Sequence, residues 1–351
     1  MKINKTFTGP AAGWILSFIF LILFNPSLYA QKVSRVGTSA ATFLKVGIGA
    51  RALAMGEAYT TLAKDVTATY WNPAGLAALN KNQFLFTHYN YIADIYFDYA
   101  AMAIPFSGVG TFGLFITYMG MPDIERTTVL EPGGTGEKVS ASSFNMGLSY
   151  GKFLTDRFSI GGSFKYIQEN LWHTSAKSFA FDVGLIYRTH FKNLTLGMSI
   201  TNFGPGMQLQ GRDLLVQHDI DPTHEGNNGN INADLKTDQY SLPILFRVGA
   251  SINILRDVFS LQNNDLVVAV DAVHPNDNYE YMNFGLEYSF KKMIALRTGY
   301  RESFLQDREG GLTYGVGLRI RVMGIGLLLD YALADFGRLD TLNKFSLILE
   351  L

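Results

Sequence analysis

From Gln83 to the end of the chain, apolar and polar side chains alternate with a period of two, in one segment after another. Leu312, Tyr314, Val316, Leu318, Ile320 and Val322 share one face, and Thr313, Gly315, Gly317, Arg319 and Arg321 share the other. Phe144, Met146, Leu148 and Tyr150 repeat the split against Ser143, Asn145, Gly147 and Ser149, and Met282, Phe284, Leu286 and Tyr288 repeat it against Asn283, Gly285 and Glu287. Successive side chains of a strand point to opposite faces, so each segment reads as a strand with one wholly apolar face. About fourteen strands are predicted, centred near Leu85, Ala101, Phe115, Leu148, Gly162, Val183, Met198, Phe246, Ala269, Phe284, Arg297, Val316, Leu328 and Leu347.

Two architectures bury such faces. A soluble sandwich turns its large aromatics inward, whereas an outer-membrane barrel turns them to lipid and keeps a polar lumen with girdles of Tyr and Trp. Here the polar faces carry Gly, Ser, Thr, Arg and Asp, and the apolar faces often finish in Tyr. The expected fold is therefore all-β, a transmembrane antiparallel β-barrel of about fourteen strands with an N-terminal helical hatch. Connection lengths agree with it. Tight turns, such as Ser107 to Gly110, Lys291 to Lys292 and Met323 to Gly324, alternate with connections that include Met121 to Ala141 and Pro205 to Tyr240. Only Arg256 to Asp265 is longer than a periplasmic turn requires. Both termini are expected in the periplasm. The final strand ends on outward Phe345, Leu347, Leu349 and Leu351.

The one stretch without this alternation is Gly47 to Leu79. Ala50 to Ala63 is rich in Ala, Leu, Met and Glu, which predicts a helix. A second short helix is predicted from Pro73, with Asn72 as its N-cap. Ahead of this stretch, Lys2 and Lys5 precede a predominantly apolar run from Trp14 to Phe24, which Asn25 and Pro26 break. That is a secretory signal pattern, with cleavage expected after Ala30. The division expected is 1–30 signal peptide, 31–80 hatch segment and 81–351 barrel.

Composition narrows the function. Net charge is −1 and pI about 6.6, so nothing marks a nucleic-acid binder. The absence of cysteine removes disulfides, thiolate catalysis and thiolate-bound metals. Gly47, Gly49 and Ala52 match G-x-G-x-x-A, but the strand before and the acidic residue after a dinucleotide site are missing. His218, Asp219, Asp221, His224 and Glu225 cluster in the longest loop, where a solvated loop is the simpler reading than a cation site. No Ser, His and Asp pattern marks a nucleophile, so no enzyme, cofactor or metal is expected. The predicted lumen charges are Arg247, Glu287, Arg297, Arg319, Arg321 and Asp330, with Lys165, Asp182, Asp271 and Arg301 beside them. They are expected to pair with one another or with the hatch, where Glu57 and Asp65 would meet Arg247, Arg297 and Arg319.

Phe43 to Ala77, FLKVGIGARALAMGEAYTTLAKDVTATYWNPAGLA, resembles the N-terminal signature of the PorV/PorQ family of outer-membrane proteins, themselves related to FadL-type channels. The matching positions are Gly49, Arg51, Ala52, Met55, Gly56, Ala58, Asp65, Asn72, Pro73, Ala74 and Gly75, and Leu327 to Leu351 resembles the closing strands. The resemblance implies a fourteen-stranded barrel with a hatch, a place in the outer membrane and a role in type IX secretion. Its implied partners are outer-membrane lipid, the translocon, the attachment proteins and secreted cargo. A FadL-like passive channel for a hydrophobic solute is the alternative. The first external connection, near Asn90 to Ala93, is shorter than lipid capture would favour.

Overall fold

Fourteen strands pair antiparallel, each with its neighbours in sequence, and the last pairs back onto the first. In the computed structural model they are β1 (Gln83–Asn90), β2 (Tyr96–Phe106), β3 (Gly110–Gly120), β4 (Ala141–Thr155), β5 (Phe158–Leu171), β6 (Thr174–Arg188), β7 (Thr195–Phe203), β8 (Leu245–Asn253), β9 (Asn264–Pro275), β10 (Tyr281–Phe290), β11 (Ile294–Ser303), β12 (Leu312–Val322), β13 (Ile325–Asp335) and β14 (Thr341–Glu350). The structure describes residues 35–351 except 92, 222, 225–228, 262, 306–307 and 338–340, and the barrel lies in the unit Val36–Leu351. The expected signal peptide falls outside the described residues. No described helix is long and apolar enough to cross a membrane.

The alternation predicts the faces. Leu148, Val183, Phe179, Tyr314, Val316 and Phe345 are about half exposed on the outer wall, while Ser149, Ser163, Asp271, Thr313 and Ser346 are buried inside. The ring closes through a short seam. β14 and β1 share four residue pairs, Gln83 with Glu350 to Phe86 with Leu347, whereas β13 and β14 share ten.

The connections separate into two ends. Tight turns join β2 to β3, β4 to β5, β10 to β11 and β12 to β13, and the loops between β3 and β4 and between β7 and β8 lie at the other end. Barrels of this class keep short turns in the periplasm and long loops outside, which orients the molecule. The one long periplasmic connection is a helical turn, Ile254–Val258, capped by Asn253, whose side chain accepts from the Arg256 amide at 3.1 Å. The external loops carry hairpins of their own, Ile124–Glu125 with Lys138–Val139 and Leu215–His218 with Ile231–Asp234.

Inside the ring, a luminal segment from Thr42 to Leu79 holds a short α1 (Ala50–Ala54) and α2 (Ala68–Trp71), flanked by 3-10 turns at Thr42–Lys45 and Pro73–Ala78. The long helix expected to Ala63 stops at Ala54. Gly56 and Glu57 both take φ of 61°, because the backbone must turn where it meets Phe284 and Tyr300 of β10 and β11. Asn72 caps the second turn as expected, its side chain accepting from the Ala74 amide at 3.2 Å.

The N-terminal end corrects a second expectation. Residues 36–45 lie at the long-loop end rather than in the periplasm. Ser39 bridges Ser241 of the β7–β8 loop, and its hydroxyl donates to Asp277. Lys45 pairs with the same Asp277 at 2.7 Å, and the Ala41 amide donates to Glu169 at 3.0 Å. The segment therefore descends through the lumen before β1 begins, and only the C-terminus ends at the short-turn face, where the Leu351 amide donates to Asn82. Val36→Cys, in a chain without native cysteine, should react with a membrane-impermeant maleimide on intact cells as fully as after lysis. Protection until lysis would return this end to the periplasm.

Candidate functional site: the luminal segment and its two vestibules

The luminal segment is bolted to the wall by backbone groups that its short helices leave free. Helix ends have unpaired N–H and C=O groups, and in a dry lumen each needs a partner from the wall. The Ala50 amide donates to Ser346 at 3.0 Å, and the Tyr59 and Thr60 amides both donate to one oxygen of Asp271 at 2.8 Å. The Gly56 amide donates to Thr313 at 3.1 Å, whose hydroxyl in turn donates to the Ala54 carbonyl at 3.1 Å. Asn72 reaches furthest, since its Nδ2 donates to the carbonyls of Thr60 at 3.0 Å, Leu185 at 3.2 Å and Met198 at 3.4 Å. Trp71 closes the segment on itself through Nε1 to the Ile48 carbonyl at 3.0 Å.

Inward glycines make room for this contact. A Cβ on Gly161 would collide with Pro73 and Ala74, and one on Gly299 with Met55 and Gly56, backbone against backbone. Strand glycine is costly unless another chain approaches closely, and here it does.

The most extended ion-pair network between segment and wall centres on Glu287. Arg51 grips Glu287 with two hydrogen bonds of 2.9 Å, Nε to Oε2 and Nη2 to Oε1. Arg297 donates to the same Glu287 at 2.5 Å and to Asp330 at 2.6 Å, and Asp65 lies 3.7 Å from Arg51. Forked guanidinium–carboxylate contacts are directional, so they fix the height and rotation of α1.

The segment's residues named from the sequence come together here. Gly49, Met55, Gly56, Asp65, Asn72, Pro73, Ala74 and Gly75 are buried, and Arg51 is half-buried. Among the wall charges, Glu287, Arg297 and Asp330 form the network. Arg247 instead lies 5.3 Å over the Trp71 ring and donates to Thr201 at 3.3 Å. In this network the segment supplies the cation Arg51 and the wall supplies the acid, opposite to the expected arrangement. Glu57 meets Arg301 at 3.6 Å rather than Arg247, Arg297 or Arg319. Arg319 and Arg321 face the short-turn end, exposed and outside the network. Lys344, which donates to the Gly47 carbonyl and lies 4.2 Å from the Tyr89 ring centre, went unnamed. Its signal was present, since it shares the inward parity of Ser346.

α1 divides the lumen. Above it lies an outer cavity of about 720 Å³, lined in part by Phe43, Leu53, Ile95, Met119, Leu209 and Phe336. Below it lies an inner vestibule of about 660 Å³, bounded by Gly49, Arg51 and Ala52 and by the short-turn ends of the strands. In the loop cluster around His218, no three acidic or imidazole groups converge among the described residues, and Asp221 accepts from Thr223 and pairs with His224 at 2.7 Å. Glu225 lies outside the described residues.

A closed fourteen-stranded barrel, apolar outside and filled by its own N-terminal segment, has the architecture of an outer-membrane β-barrel. The sequence model for the type IX secretion system protein PorV matches residues 29–223, and the chain belongs to that family. No functionally curated protein matches it in sequence. Among solved structures, it resembles the Ralstonia pickettii toluene transporter TbuX at 14% identity and a TM-score of 0.52, over 87% of this chain and 97% of the other. It also resembles the Pseudomonas putida toluene transporter TodX at 11% identity and a TM-score of 0.53, over the same shares of each chain. At such identities the shared property is the fold.

Proposed function

We propose that this protein is a non-enzymatic outer-membrane component of type IX secretion that holds secreted cargo, the translocon or the attachment machinery through its external loops, while the luminal segment acts as a hatch. The observation that carries the reading, beside the family, is the finger between β3 and β4. Its stem is tied by Arg126 to Glu137 at 2.7 Å, and Arg126 lies 5.4 Å from the Trp172 ring centre. Its tip presents Val129 and Leu130 at 99% and 92% exposure. Two large apolar side chains held fully in water on an anchored stem suit insertion into a partner's pocket. The joint variant Val129→Asp and Leu130→Asp should leave the barrel folded and reduce recovery of secretion partners from gently solubilised outer membranes several-fold. Undiminished recovery would remove the finger from partner capture.

A second reading, passive uptake of a hydrophobic solute, is supported by the apolar lining of the outer cavity and by the fold shared with hydrocarbon transporters. It requires α1 to leave its seat. Liposomes carrying the protein should then take up toluene faster than empty ones, and equal rates would dismiss it.

A further inference from the structure

Eight cationic and six acidic side chains line the inner vestibule, a net of two positive charges. Of its acids, Glu287, Asp330 and Asp65 are held by Arg51 and Arg297, Glu350 by Lys81 at 3.5 Å and Asp257 by Arg256 at 3.3 Å, while Asp265 accepts only from the neutral Asn253 side chain at 2.5 Å. Lys64, Arg188, Lys292 and Arg319 line the same cavity, and none of the four forms an ion pair among the described residues. Arg188 donates through Nη2 to the Asp156 carbonyl at 3.4 Å, which leaves its charge unbalanced.

Lys64 shows the consequence. It sits on the turn between α1 and α2, with its side chain exposed in the cavity. Desolvation inside the cavity, and then the neighbouring Arg256 and Arg188, push its ammonium below the usual lysine range. Like charges around a concave, low-dielectric cavity concentrate the positive potential within it, and a bound anion relieves their repulsion.

The shape narrows the anion. The cavity is closed above by α1 and open to the periplasm, and its volume of about 660 Å³ falls in the range of small-molecule sites rather than of a peptide groove. A net of two positive charges around one closed-ended space calls for a compact group of about two negative charges, and forked guanidinium groups match phosphate oxygens. We propose that the inner vestibule is a binding site for a phosphate-bearing anion that enters from the periplasm. A free phosphate ester and the phosphate headgroup of an inner-leaflet lipid reaching over the rim both present this chemistry.

The test is calorimetric titration of the intact barrel, in uncharged detergent at low salt, with inorganic pyrophosphate. Saturable binding is expected, weakened by about tenfold or more in the joint variant Lys64→Gln and Arg188→Gln. The unboiled, fast-migrating band on a denaturing gel reports that the variant is folded. Absence of saturable binding, or equal binding by the folded variant, overturns the proposal. Competition by phosphatidylglycerol nanodiscs, against none by phosphatidylcholine, assigns the lipid headgroup as the source. Pyrophosphate binding untouched by either nanodisc assigns a free ester. Tetraglutamate binding as tightly as pyrophosphate would overturn the phosphate assignment in favour of an acidic peptide.

Discussion

Replacing Glu287 by alanine is expected to destabilise the folded barrel by about 3–5 kcal/mol, the usual cost of leaving a buried charge without its partner. Glu287 stands between two guanidinium groups, Arg51 of the luminal segment and Arg297 of the wall, and both lose a hydrogen-bonded counter-charge at once. Arg297 retains Asp330 at 2.6 Å and Arg51 only the longer contact with Asp65 at 3.7 Å, so the greater loss falls on Arg51. That assigns a direction to rescue. Arg51→Met added to Glu287→Ala removes the orphaned cation and should recover more than half of the loss, measured as the urea midpoint for conversion to the slow-migrating gel form. Strictly additive losses would show that the pair is not coupled.

The second large effect is steric. Gly161 and Gly162 are adjacent in β5 and face opposite ways. A side chain on Gly161 runs into the backbone of Pro73 and Ala74, whereas the nearest atom to a Cβ on Gly162 is the Asp182 carbonyl oxygen, 3.4 Å away. Overpacking against flexible side chains costs about 1–3 kcal/mol, but neither backbone can yield here without lifting the segment from its seat. Gly161→Val is therefore expected to give a barrel that closes with its hatch displaced, and Gly162→Val a barrel like the parent. Planar-bilayer recordings check this. Steps of conductance should appear with Gly161→Val and be absent from the parent and from Gly162→Val. Silent bilayers for all three would show that the seat tolerates the side chain or that another part closes the lumen.

The barrel was legible in the sequence because period-two patterning is local: each strand declares its lipid face without reference to its neighbours. The strand centres all fall within the fourteen strands. Asn72 at the start of its turn was legible for the same reason, since a cap depends on residues two or three positions away. The extent of α1 was not. Ala, Leu and Met favour helix across Ala50 to Ala63, but the turn at Gly56 and Glu57 is imposed by β10 and β11, more than 200 residues along the chain, and tertiary contact overrides propensity. Ion pairing divides along the same line. Glu287 and Arg297 are cross-strand partners across a short turn, so their meeting follows from the hairpin register. Arg51 and Glu287 are 236 residues apart, and only the path of the segment through the lumen brings them together. The placement of residues 36–45 at the external end depends on that same path.

The short seam between β1 and β14 bears on how the molecule is made. Its two strands share four residue pairs, yet both also hold the luminal segment: Gln83 of β1 accepts from the Val66 amide at 2.9 Å, and Ser346 and Lys344 of β14 bind Ala50 and Gly47 from 296 and 297 residues away. A ring that zips shut before its contents arrive would trap the segment outside, so closure has to wait for it. The luminal segment, which precedes all fourteen strands in sequence, thereby offers the surface on which the last strand docks. Contacts of such sequence separation make the closing step the slow one in assembly.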